Sequence, residues 1–489
     1  MQIYLAIDLG AGSGRLVAGV YDGTSLKVEE VNRFSNNGVN INGSLHWDTP
    51  RLFLHITEGI RLAVEKYGDK IVSIAADSWG CDFALVDSQG NILGGHHQYR
   101  DPRSEGMQDV LDGRMAQEEV YNHTGVQPAF YNSSLHLLSE QVKESPCLDV
   151  AENILFTPDL LAFWLSGVRS NERTIASTSQ LYNPFKRDWA WEVIDAIGLP
   201  RRMFGEITSS GTVLGNMNDS VKELTEATSD IKVVASAGHD TACAVAGLPM
   251  ERGGLWLSSG TWSILGVELD NSLTTPEAYA AGLSNEGGVN KSTRLLHNVS
   301  GLWIIQECRR HWLEHGEEMG YAELARLAEE AQPFTAFIDP NDSVFSSPGN
   351  MPKRIKEYCR RTGQTIPETK GSILRIATES LALKYRQVVD SLKEVTGREF
   401  AQLNAGGGGI QNLLLMQAAA DALGIPVVSG PIEATSCGNI ITQMVAVGEI
   451  KDINEGRKLI KSSIETSVFM PKSSRDWQKP YEKFLELVN

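Results

Sequence analysis

Asp240 lies almost at the middle of a 489-residue chain, within Ala235-Ser-Ala-Gly-His-Asp-Thr-Ala242. The apolar run Ile231 to Val234 leads in like a buried strand and the small-residue run Ala242 to Leu248 leads out like a helix, which places the carboxylate on a strand-to-helix turn. An Asp or Thr before such a run is ordinarily a helix cap. The alternative is a general base, and what favours it is position. About a dozen residues later, Gly254-Leu-Trp-Leu-Ser-Ser-Gly-Thr-Trp-Ser-Ile-Leu-Gly-Val267 repeats the design of the N-terminus, so Asp240 stands at the join of two halves.

The N-terminal version of that design is Ile3-Tyr-Leu-Ala-Ile-Asp8, a strand, then Gly10-Ala-Gly-Ser-Gly14, a turn, then Arg15 to Asp22, a second strand. A hairpin with such a tip brings backbone N–H groups and the Ser13 hydroxyl close to phosphate oxygens, because the glycines carry no side chain to hold a ligand off. A plain tight hairpin is the equal alternative on this segment alone. A dinucleotide fingerprint and a P-loop are both excluded, since no helix opens on the glycines and no G-K-[ST] follows them.

The surrounding elements follow from periodicity. A strand is expected near Leu26 to Phe34, a helix from Pro50 to Tyr67, and strands from Ile71 to Asp77 and from Cys81 to Asp87. Residues from Asp101 to about Arg202 read as a mainly helical insertion on the first half, covering a cleft, with aromatic residues more suited to core than to ligand stacking. In the second half, helices are expected from Leu302 to His315, Tyr321 to Ala331, Ile373 to Val395, Leu413 to Leu423 and Ala434 to Val447. A strand and glycine turn over 402–412 and a short strand from Ile425 to Ser429 complete the pattern. The last forty residues read as charged and peripheral.

Length implies roughly two to four domains. Hydrophobic residues make up 42% and charged residues 21%, a globular mix. The net charge of −17 argues against nucleic acid or an anionic membrane as main partner, yet leaves room for a phosphorylated ligand held locally. The N-terminus resembles no export signal and no stretch reaches the ~18 apolar residues of a spanning helix, so a cytoplasmic protein is expected. Six scattered cysteines without C-x-x-C spacing read as buried thiols.

Taken in order, Ala6-Ile-Asp-Leu-Gly-Ala-Gly-Ser-Gly-Arg15, Asp77-Ser-Trp-Gly-Cys-Asp-Phe83, Tyr99-Arg-Asp-Pro-Arg103, Gly238-His-Asp-Thr241, Leu257-Ser-Ser-Gly-Thr-Trp-Ser263, Asn285-Glu-Gly-Gly288 and Gly407-Gly-Gly-Ile-Gln-Asn412 resemble the FGGY carbohydrate kinases of the actin-like ATPase superfamily. The resemblance spans essentially the whole chain. It implies an α/β fold of two actin-like (ribonuclease H-like) domains flanking a nucleotide and sugar cleft, with residues 1–242 on the sugar side and 243–489 on the nucleotide side. It also implies ATP and Mg2+ as cofactors, a small sugar as partner without nucleic acid or membrane, and a monomer or homodimer.

The same resemblance implies Asp240 as the general base, His239, Thr241, Gly80 and Asn298 as contacts to the sugar, and Asp8 as the residue that holds magnesium, through water. Ala11, Gly12, Ser13, Gly14 and Arg15 form the first phosphate loop, Thr261 meets the terminal phosphates, Gln306 lies near the nucleotide, and Gly407 with Gly408 lets adenosine lie on bare backbone. Gly12 stands where relatives carry Ser or Thr. Gly406 replaces an aliphatic residue and Ile410 a smaller one. The substrate implied is a six-carbon deoxyketose, with L-fuculose or another ketose as the near rival, and a nucleotide-switched sugar sensor as the reading from another class.

Overall fold

A computed structural model describes residues 1–472 and 476–488. The chain forms two compact units. The first gathers Met1–Arg252, Glu268–Leu295 and Ala434–Ile464, and the second Gly253–Val267, Leu296–Glu433 and Glu465–Asn489.

The first unit is built on a six-stranded sheet in the order Thr212–Asn216, Lys232–Ala235, Ile71–Ser78, Gln2–Leu9, Ser13–Tyr21, Leu26–Ser35. Gln2–Leu9 is apolar on both faces, with Ile3 to Ile7 all fully buried, as a strand covered on both sides must be. It forms the expected hairpin with Ser13–Tyr21, pairing Asp8 with Arg15 and Leu9 with Gly14. Helix Thr49–Tyr67 then carries the chain over to Ile71–Ser78, which runs parallel to Gln2–Leu9. The helix starts where the Asp48 side chain accepts from the Arg51 N–H and Pro50 fills the first turn, and it buries Leu52, Ile56, Ile60 and Ala63 on one face.

The insertion is mainly helical, as its composition predicts, and has its own core around Leu111, Val120, Leu137, Phe156 and Trp189. It is tied to the first unit by strand Asn153–Phe156, which pairs antiparallel with Phe83–Val86. Tyr121, Tyr182 and Trp189 are core residues, whereas Phe130 is exposed.

In the second unit, Leu255–Ser259 and Ser263–Leu269 form the second hairpin. Leu403–Gly406 lies parallel to the first of these, Val427–Ser429 parallel to Leu403–Gly406, and Ser467–Phe469 antiparallel beyond. A hairpin followed by parallel neighbours is the arrangement of the first sheet as well. Lys370–Thr396 is the long helix, capped by a reciprocal pair between Thr369 and Ser372. Helix Met351–Arg361 has no counterpart among the expected elements.

Two expectations are corrected. The last forty residues are not peripheral: Arg457, Ile460 and Phe484 are buried, and Ser467–Phe469 completes a sheet edge. Apart from Arg457, the charges of amphipathic helices Ile453–Ser463 and Gln478–Val488 lie on their outer faces, and a charge count does not register their apolar stripes. Residues 473–475 and 489, within that stretch, lie outside the described residues. Of the six cysteines, all free, Cys147 is only partly buried. No helix among the described residues is long and apolar enough to cross a membrane.

Candidate functional site

In the first unit the singled-out residues meet at the carboxyl ends of neighbouring parallel strands, the usual ligand-facing edge of an open α/β sheet. Asp8 and Asp77 are in register on Gln2–Leu9 and Ile71–Ser78, and Ser78 bridges His239, its N–H donating to the Gly238 carbonyl at 2.8 Å. Strand Lys232–Ala235 runs into the turn and helix Asp240–Gly247 begins at Asp240, as the sequence predicts.

Three carboxylates therefore share one edge, and their exposure separates them. Asp77 is fully buried and Asp8 nearly so, while the Asp240 side chain remains 31% exposed. Of the three, Asp240 is the one a ligand can reach. Burial pushes its carboxyl above the ordinary range, with Asp8 adding to the effect and His239 and Thr241 opposing it. Burial, followed by the charge of Asp8, raises Asp77 well above its usual range.

Asp8 Oδ2 accepts from Arg15 Nη2 at 2.7 Å and from Ser436 Oγ at 2.8 Å. Arg15 is thus the ion-pair partner of Asp8, one strand pair behind the turn. At the tip, Gly10 N–H closes onto the Ser13 carbonyl, and Asn36 holds the loop from behind through the carbonyls of Gly10 and Gly12. Ala11 and Gly12 face solvent, and a Cβ on Gly12 would touch nothing within 4 Å.

The 238–241 turn is held by residues that the spacing of the chain did not bring forward. Glu172 Oε2 accepts the Gly238 N–H at 2.9 Å, and Thr174 Oγ1 accepts the His239 N–H at 3.2 Å. His239 Nε2 lies 3.4 Å from Asp240 Oδ1, and its Nδ1 lies 3.2 Å from Glu286 Oε2. Arg294, fully buried, pairs with Glu286 at 2.9 Å and donates to the Gly287 carbonyl, while its Nη1 is buried with no hydrogen-bond partner. Thr241 Oγ1 donates to Asp240 Oδ1 at 3.0 Å.

Gly80 sits beside Thr178, 3.2 Å from where its Cβ would be. Just past it, Asp82 Oδ2 accepts from the indoles of Trp47 at 2.6 Å and Trp79 at 2.7 Å. Burial pushes the Asp82 carboxyl up to about 7 despite these donors.

In the second unit the expected nucleotide residues cluster at the end of Leu255–Ser259. Thr261 occupies the hairpin tip, and its carbonyl accepts from the N–H of Trp303, the first residue of helix Trp303–Glu314, with Gln306 one turn further on. Gly407, at φ 90°, passes so close to Ser259 that a Cβ would lie 2.7 Å from the Ser259 carbonyl oxygen. Gly408 faces open space. Asn298 is on strand Thr293–Val299, its carbonyl accepting from Asn341 Nδ2.

Sequence reasoning missed Glu172, Arg294, Ser436 and Asn439. Asn439 donates to Asp77 at 2.6 Å and belongs, with Ser436, to helix Ala434–Ala446. Only Glu286 carried a signal, as part of Asn285-Glu-Gly-Gly288.

Two hairpins with glycine- and serine-containing tips, each followed by parallel strands in its own sheet, and a reachable carboxylate on a strand-to-helix turn are the features shared with a known class of sugar kinases. Residues 3–247 match the N-terminal domain and residues 255–447 the C-terminal domain of the FGGY family of carbohydrate kinases, and the chain belongs to that family. It is 40% identical to a rhamnulokinase of Bacteroides thetaiotaomicron over 488 residues, covering 100% of this chain and 99% of the relative. A rhamnulokinase of Oceanobacillus iheyensis is 35% identical over 464 residues, 95% and 97% of the two chains. The fold matches a xylulose kinase from Lactobacillus acidophilus with a TM-score of 0.81 at 16% identity, covering 100% and 96%. It matches a Plasmodium falciparum glycerol kinase at 0.78 and 18%, covering 99% and 97%.

Proposed function

We propose that the chain transfers the γ-phosphoryl group of ATP to the 1-hydroxyl of L-rhamnulose, as a step in L-rhamnose catabolism. The observation that carries the chemistry is the reachability of Asp240 beside a nearly buried Asp8 and a fully buried Asp77. The sugar is argued from the full-length similarity to rhamnulokinases.

Asp240 takes the proton as the sugar oxygen attacks phosphorus: the hydroxyl O–H bond breaks, a carboxyl O–H forms, and the P–O bond to ADP gives way. His239, Thr241, Gly80 and Asn298 hold the sugar. Ala11 to Arg15 and Thr261 receive the phosphates, through backbone N–H groups more than side chains because Gly12 has none. Gln306, Gly407 and Gly408 receive the nucleoside, and the open space over Gly408 supports this.

No cluster of three or more His, Cys, Asp or Glu side chains able to hold a metal occurs among the described residues. That fits magnesium arriving with ATP and keeping most of its waters, since this ion is commonly bound by one or two carboxylates plus phosphates. Asp8 is the residue that would hold it, through water. When bound, the ion neutralises charge on the phosphate oxygens. We assign residues 1–242 to sugar handling and 243–489 to the nucleotide, in a cytoplasmic monomer or homodimer acting on small molecules, without nucleic acid or membrane.

A ketose panel with saturating Mg-ATP tests the substrate. Each mismatched hydroxyl leaves a buried group unpaired at ~1–3 kcal/mol, so two mismatches give a kcat/KM for L-rhamnulose roughly a hundredfold or more above that for L-fuculose or D-xylulose. Equal turnover of these sugars would remove the rhamnulose assignment and leave the kinase.

A further inference from the structure

We propose that residues 172–178, inside the insertion, are the positioning element of the sugar side: one buried segment fixes the loop at Gly80, the turn at Gly238 and His239, and the strand end at Gly287. This rests on the reading that Gly80, His239 and Asp240 handle the sugar.

Thr174, Ser177 and Thr178 are buried, so their hydroxyls must find partners inside the protein. Each directs its hydrogen within the segment: Thr174 donates to Glu172 Oε2, Ser177 to the Thr174 carbonyl and Thr178 to the Ile175 carbonyl. A hydroxyl that donates still accepts, and each of the three receives a backbone N–H from a different stretch of chain. Thr174 Oγ1 accepts from His239 at 3.2 Å, Ser177 Oγ from Gly287 at 2.7 Å and Thr178 Oγ1 from Cys81 at 3.0 Å. Glu172 Oε2 takes a fourth, the Gly238 N–H.

Close packing falls on the same segment. A Cβ on Gly80 would lie 3.2 Å from Thr178 Oγ1, one on Gly238 3.0 Å from Ile175 Cγ2, and one on Gly287 3.2 Å from Ser177 Oγ. Three glycines from three separate motifs thus bring bare backbone against it. Cys81 stands at φ 73°, a left-handed conformation uncommon for a residue with a side chain. Thr178 holds it twice, since its carbonyl also accepts from the Cys81 thiol at 3.2 Å, and such backbone persists where its surroundings over-determine it. Apolar side chains could fill this space, but only acceptors at fixed points set where each N–H stands. None of the four N–H groups belongs to a residue assigned to ATP.

Thr174→Val removes the acceptor next to Asp240 and keeps the branched shape. Its kcat is expected to fall roughly ten- to a hundredfold, as for a misplaced reacting group, with the KM for ATP unchanged. Thr178→Val, beside Gly80, should instead raise the KM for sugar roughly tenfold as ground-state binding is lost, again with no change for ATP. Thr174→Ser and Thr178→Ser keep the hydroxyl and lose the methyl, so they should restore most of the parent values, whereas a packing role would favour valine. Where a valine variant does not fold, Ser177→Ala, which removes a single oxygen, takes its place and should raise the KM for sugar alone. Serine variants no better than valine, or sugar and ATP parameters altered alike, overturn the inference. If Asp240→Asn retains its turnover, the sugar site itself is misassigned and the inference falls with it. If Asp240→Asn is inactive while the valine variants match the parent, only the positioning role fails.

Discussion

A Cβ placed on Gly438 would lie 1.7 Å from the carbonyl oxygen of Cys243, inside any van der Waals contact. The two residues sit where helix Ala434–Ala446 crosses helix Asp240–Gly247, and one turn away the would-be Cβ of Gly247 would lie 2.1 Å from the Ala434 carbonyl oxygen. The backbones touch because neither glycine has a side chain. That crossing also carries Ser436 to Asp8 and Asn439 to Asp77.

Gly438→Ala is therefore expected to push the helices apart at a cost of ~1–3 kcal/mol or more. Thermal unfolding followed by calorimetry should show a transition lowered by several degrees. Because Asp240 is in the first turn of the displaced helix, kcat should fall with it. An unchanged melting profile would refute the close crossing.

Asp240→Asn keeps the hydrogen-bonding shape and loses the ability to accept a proton. Its kcat is expected to fall by ~10²–10⁴ while both KM values stay within a few-fold. Steady-state kinetics with coupled ADP detection measure it, and a variant with most of its turnover would exclude Asp240 from the mechanism.

Adjacent glycines in the 406–409 turn should respond differently. A Cβ at Gly408 would meet no protein atom within 4 Å, whereas a Cβ at Gly409 would lie 2.2 Å from Ser259 Oγ. Gly408→Val should fold normally and raise the KM for ATP much more than that for sugar, whereas Gly409→Ala should lower the melting temperature. Comparison of circular dichroism melts with the two KM values separates these outcomes.

Asp82 gives a stability signature in pH. Burial holds its folded-state acid up to about 7 against an ordinary value of 3.8, so the folded chain binds the extra proton more tightly than the unfolded one. That contribution is fully present below the lower value and is lost as pH rises through about 7. Asp82→Asn has no proton to lose. In urea titrations between about pH 4 and 7 the parent should lose stability relative to this variant as pH rises, and parallel curves would contradict the shift.

Much of the fold is legible in the residues because periodicity and turn chemistry act locally. Aliphatic runs around glycine tips mark both hairpins, the small-residue run after Asp240 marks its helix, and Leu413–Leu423 is a helix with the predicted bounds. Motif order carried the family as well: each motif alone has an ordinary structural use as a cap or a tight turn, and only their ordered sum is specific. Arg457 shows the limit. Its charge reads as surface, yet it is buried against Glu268 at 2.9 Å with the carbonyls of Val245 and Ala246 around it, because a buried charge is tolerated only where partners from distant segments converge.

The same limit applies at the site. The sequence by itself determined that a carboxylate would stand on a strand-to-helix turn between two phosphate-type hairpins, because each of those elements is encoded within a dozen or so neighbouring residues. Only the tertiary structure decided that Asp240 would be open while Asp8 is nearly buried and Asp77 fully so, that Glu172 would hold the turn and Glu286 lie against the His239 ring, and that a helix beginning nearly two hundred residues later would supply Ser436 and Asn439. Burial and side-chain partnership depend on which remote segments pack together. A chain read residue by residue carries periodicity and turn propensity, but not the identity of the atom that will lie three ångströms away.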